Sequence, residues 1–98
     1  MNHPELTRRW ADLAHRSNRV VSLLETTLTQ TGQEWVTTEA RHLIDYNEYG
    51  VAIEGLLDSL HEYDCPVPRP AYELLTARCV DMGLGLARCS DIASQVVE

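Results

Sequence analysis

An all-α fold, a compact bundle of four to five helices with short connections, is the expectation from three features of the chain. Apolar residues recur at three- and four-residue spacing through nearly every segment. Phenylalanine is absent, and leucine, valine and alanine fill the apolar positions. Breaks in the spacing fall at residues 31–34, at the proline-rich 64–70 and at Gly83. The 98 residues are 44% apolar and 23% charged, the size and make-up of one domain spanning residues 1–98.

The first helix is expected from about Pro4 to Thr29. Leu6, Trp10, Leu13, Val20, Val21, Leu24 and Leu28 make its apolar stripe, which Ser17 interrupts. Arg8, Asp12, Arg16 and Arg19 make the opposite, solvated face, with Asp12 and Arg16 placed for an i,i+4 pair. Thr31 and Glu34 have capping-box spacing and should open a second helix running to about Tyr46. Its core candidates are Val36, Ala40 and Leu43, with Trp35 and Ile44 beside them. The β-branched run at 36–38 weakens it.

The third helix, from about Glu48 to Tyr63, has the clearest pattern. At 100° per residue, Tyr49, Ala52, Ile53, Leu56, Leu57, Leu60 and Tyr63 share one face. Glu54, Asp58 and Glu62 line another, with Val51 and Gly55 between them. The prolines of 64–70 impose an extended link. A fourth helix should then run from about Pro70 to Met82 and bury Tyr72, Leu75, Cys79 and Met82. Gly83 suits a left-handed helix end, with Leu84 folding back. A short last helix is expected from about Arg88 to Val97, packing Ile92 and Val96.

Charge narrows the function. All eight cationic residues are arginine, against fifteen Asp and Glu, for a net charge of −7. A field of that sign repels nucleic acid and attracts basic protein. Cys65, Cys79 and Cys89 are odd in number and lack metal or redox spacing, which points to a reducing compartment. Arg8-Arg9 is not followed by an apolar stretch, and no run is long enough to span a membrane. A cytoplasmic protein is the expectation.

The chemical motifs point away from catalysis. His61 and Cys65 are four apart, but Pro66 ends the helix and no second pair completes a zinc set; no metal and no cofactor is expected. Cys79 falls on a buried face, while His15 and His42 lie in other segments without a nucleophile signature. Asp45, Glu48, Glu54 and Asp58 are close in sequence, yet a carboxylate acting as acid or base needs an apolar cleft to raise its pKa. No enzyme is expected.

The run RHLIDYNEYGVAIEGLLDSLHEYDCPVPRPAYELL, followed by VDMGL, resembles the small immunity proteins of the MafI type. The shared pattern is carried by Glu48, Tyr49 and Gly50; by Ala52, Ile53 and Glu54; by Leu56, Leu57 and Leu60; and by Val67, Tyr72 and Met82-Gly83-Leu84. It covers about residues 35 to 86. Asn47 stands where a glycine or another small turn residue is expected, and prolines crowd the link. The resemblance implies an immunity protein that binds and neutralises a cognate toxin domain of a bacterial contact-dependent or polymorphic toxin system. Nucleases with basic grooves are common among such toxins, and a monomer at −7 would complement one.

A pattern shared by binders of different toxins does not itself select the toxin. Glu48, Tyr49 and Gly50 are therefore expected to form a structural corner, with Gly50 letting two helix ends approach. Asp45, Tyr46, Asp58, Glu62 and Asp64 are the expected partner-binding residues, with Glu54 shared between the two roles. The alternative is a small acidic helical adaptor or regulatory subunit for another basic protein, and the neighbouring gene would discriminate the two.

Overall fold

The computed structural model describes residues 4–98, with side chains from residue 8 onward. It contains α1 (Pro4–Gln30), α2 (Glu34–Asp45), α3 (Tyr49–Glu62), β1 (Val67–Pro68), α4 (Arg69–Met82), α5 (Ala87–Ile92), a 3-10 turn (Ala93–Gln95) and β2 (Val96–Val97). Five α-helices thus make an all-α bundle. The Asp12–Arg16 pair forms on the solvated face of α1, with Arg16 Nε 2.9 Å from the carboxylate. Leu6 lies outside the described side chains.

The core sits where α1, α2 and α3 pack side by side and α4 closes the far side. Val20, Val21, Leu24 and Leu28 of α1 are fully buried, as are Ile53, Leu56 and Leu60 of α3. Each such side chain contributes roughly 1.5–3 kcal/mol relative to an exposed one, so α1 and α3 together supply most of the core's largest fully buried side chains. Val36, Ala40 and Ile44 complete the seam from α2.

One device ends each of the first four helices. The backbone N–H five residues on closes back over the last turn: Gln33 to the Leu28 carbonyl at 2.7 Å, Glu48 to Leu43 at 2.8 Å, Cys65 to Leu60 and Leu84 to Cys79 at 3.0 Å. The residue before each donor is left-handed: Gly32 at φ 76°, Asn47 at 62°, Asp64 at 49° and Gly83 at 66°. This is the Schellman geometry, which satisfies carbonyls that a helix end leaves orphaned. The ending expected at Gly83 is present, with Leu84 folded back onto the core.

Several boundaries and burials differ from the sequence reading. No capping box forms at α2: the Thr31 hydroxyl turns back to the Thr27 and Leu28 carbonyls at 2.9 and 3.1 Å, and Gln33 caps without a side-chain bond. Trp10 and Trp35 are 49% and 54% exposed, and Tyr63 lies at the surface. Tyr72 and Met82 only flank the core, while Ala71 and Arg78 are the additional buried residues of α4. The Arg78 guanidinium reaches Asp81 at 2.6 Å, but its Nε and Nη1 find no partner among the described residues.

The last segment is not one helix to Val97. After Ile92 the chain tightens into the 3-10 turn, and Val96 and Val97 extend to pair in parallel with Val67 and Pro68. Gln95 explains the change: its side-chain amide donates to the Leu60 carbonyl at 2.7 Å and the Cys65 carbonyl at 2.9 Å. That clamp holds the tail against the end of α3, where the β-branched valines suit an extended ladder better than a helix.

Candidate partner-binding surface

Glu48, Tyr49 and Gly50 lie where α2 turns into α3, and the left-handed residue of that turn is Asn47 rather than Gly50. Asn47 supplies the left-handed φ that ends α2, and asparagine tolerates that region better than most residues. The buried Tyr49 hydroxyl donates to Asn47 Oδ1 at 2.7 Å and lies 3.3 Å from the Trp10 carbonyl. Glu48 is exposed at the helix start, where negative charge is favourable, and its N–H closes the preceding turn. A Cβ at Gly50 would meet Leu84 Cδ2 at 3.7 Å, an ordinary contact. Close approach of two helix ends therefore does not require that glycine.

The six expected recognition residues do not gather at one point. Asp45 and Tyr46 are exposed at the α2–α3 corner, with Tyr46 tilted on the His42 ring at 4.9 Å between centroids. Glu62 and Asp64 are exposed at the other end of α3. At 1.5 Å per residue, that helix separates the two groups by about 20 Å. Only Glu54 and Asp58 are brought together, and the agent is Arg88 at the start of α5. Its Nη1 lies 3.3 Å from Glu54 and its Nε 2.9 Å from Asp58. The two carboxylates hold the Arg88 guanidinium pKa above its usual value, first through the Asp58 hydrogen bond. Arg88 thus offsets the Glu54–Asp58 repulsion from within the chain, while Glu62 has no ion pair among the described residues and the strip stays net acidic. Asp64 also has a second task, since its backbone ends α3.

Beside this strip the surface opens into a groove of about 230 Å³ between α2 and α3. Leu43, Gly55 and Leu56 line it, Trp35 stands at one end, and Glu39 and Asp58 rise from the two helices that wall it. Small-molecule sites usually run to roughly 300–1,000 Å³, so this one suits one or two side chains rather than a cofactor. Trp35 and Glu39 were not among the expected recognition residues. Tryptophan reads as core by residue type, but at 100° per residue Trp35 shares its side of α2 with Thr38, Glu39 and His42, away from Val36, Ala40 and Ile44.

His61 is exposed while Cys65 is buried, and among the described residues no three of His, Cys, Asp and Glu gather around a possible ion. Cys79 and Cys89 are buried with their sulfurs 3.7 Å apart. Burial, with the adjacent Cys89 thiol, pushes the Cys79 thiol up to about 12, which keeps it protonated and unreactive at neutral pH. No helix among the described residues is long and apolar enough to cross a membrane. No family model, curated protein or solved structure matches the chain.

Proposed function

We propose that this chain is an immunity protein of the MafI type, which binds a cognate bacterial toxin domain in the cytoplasm and occludes it without chemistry. The observation that carries the reading is the acidic α3 strip lying directly against an open apolar groove. A net charge of −7 and clustered surface carboxylates favour a basic partner, accelerating encounter and disfavouring wrong ones. The groove supplies the apolar contact that surface charge alone lacks, because hot spots are desolvated pockets rather than rim charges.

The residues of the resemblance support the same reading by where they fall. Tyr49 and Met82-Gly83-Leu84 lie at helix ends and in or against the core, as a shared scaffold would require. Trp35, Glu39 and Asp58 lie outside that pattern, on the surface where selectivity between toxins would reside. A nuclease toxin, whose substrate groove is basic, is the partner the charge complements best.

The test is co-expression with the C-terminal domain of the protein encoded immediately upstream. The expected result is rescue of growth together with a complex that survives purification. Growth arrest despite full expression of this chain, with no complex formed, would refute the reading. An adaptor would bind its partner without rescuing growth.

A further inference from the structure

We infer that the groove between α2 and α3 is a socket for one bulky apolar side chain of a basic partner, flanked in that partner by arginine or lysine. The inference rests on the immunity reading for the source of the partner, and on the groove itself for its chemistry. Four features bear on it. Gly55 lies in mid-helix, where glycine is less stable than alanine, yet a Cβ there would meet nothing within 4 Å. No packing within the chain calls for that glycine; its effect is to keep the wall of the groove low.

Trp35 is 54% exposed, and its indole N–H is already bonded to Gln33 Oε1 at 2.8 Å. The ring therefore presents apolar area with its polar demand met, the condition in which tryptophan contributes most to an interface. Glu39 and Asp58 stand on opposite walls, and Asp58 remains exposed although its Oδ1 accepts from Arg88 Nε at 2.9 Å. Glu39 makes no ion pair among the described residues. An apolar anchor with a cation about one turn to either side would fill the floor and meet both carboxylates.

The experiment titrates the isotope-labelled chain with a synthetic helical peptide carrying a central tryptophan and an arginine one turn to each side. Two control peptides replace the tryptophan by alanine or the arginines by glutamate. Expected are saturable shifts of the Trp35 indole and Gly55 amide signals with the first peptide and at least tenfold weaker binding of both controls. Gly55→Leu, which fills the groove from a helical position with open space, should keep the circular dichroism spectrum and weaken the first peptide at least tenfold. Trp35→Ala, at a surface position, provides a second variant with the same expected loss.

No saturable shift, shifts confined to another face, or equal binding of the tryptophan-free peptide would overturn the inference. So would groove shifts that grow with protein concentration alone, which would mean that a second copy fills it. Growth protection separates the two readings. A Gly55→Leu chain that still binds and neutralises the cognate domain sinks the socket and leaves the immunity reading intact. A peptide seated in the groove of a chain that neither binds nor neutralises that domain does the reverse.

Discussion

Replacing Asn47 by alanine tests the account of the α2–α3 corner. The left-handed backbone at φ 62° costs an alanine roughly 1–2 kcal/mol, because its Cβ crowds the following carbonyl. The substitution also removes the acceptor for the buried Tyr49 hydroxyl, a bond worth about 0.5–1.5 kcal/mol. Asparagine itself bears part of the first cost, so the difference should fall at roughly 1–3 kcal/mol. For a domain of this size each kcal/mol moves the melting temperature by about 4–8 °C. Thermal melts of three variants separate the contributions. Asn47→Ala should melt well below the parent, and Asn47→Gly close to it, since relief of the backbone offsets the lost bond. Gly50→Ala should equal or slightly exceed the parent, as its Cβ has room beside Leu84. If Asn47→Ala melts with the parent while Gly50→Ala is strongly destabilised, the pivot has been assigned to the wrong residue.

Three further outcomes are expected. Asp64→Gly should raise stability by up to about 1 kcal/mol, measured by urea unfolding, because glycine removes the left-handed penalty at the end of α3; a loss of stability would mean that the carboxylate has an unseen structural task. Asp58→Asn with Glu62→Gln should leave the melting temperature within a few degrees, yet slow association with the cognate domain and flatten its salt dependence. Neutralisation is the cleaner change here, since reversing Asp58 would set a second arginine against Arg88. Cys79 should resist alkylation in the native chain near neutral pH. Its native pKa lies above the ordinary 9.0, so its contribution to stability is complete below that pH and lost as pH rises toward about 12. Urea midpoints at increasing alkaline pH should fall less steeply for Cys79→Ala than for the parent.

The sequence was most legible where structure is local. Apolar spacing located α1 to α4 to within a few residues, and Gly83 marked its helix end, because interactions within four or five residues are written directly in the order of side chains. The Asp12–Arg16 pair followed from the same arithmetic. Asn47 and Asp64 end helices by the same left-handed turn as Gly32 and Gly83, yet carry no composition signal as strong as glycine.

Tertiary contact decided the rest. Helical spacing sets Trp35 beside Thr38, Glu39 and His42 on the outer side of α2, but that it rims a groove depends on the packing of α2 against α3. Arg78 reads as a surface residue by its charge, and packing of the helices around α4 buries it. Gln95 and the Leu60 and Cys65 carbonyls are separated by 35 and 30 residues, so the bonds that pull the tail into an extended pair were invisible before the chain closed. Arg88 and Asp58, 30 residues apart, are the same case. Spacing along the chain determines which residues share a helix face. Which faces meet, and which carboxylates then remain for a partner, depends on how the finished helices pack against one another.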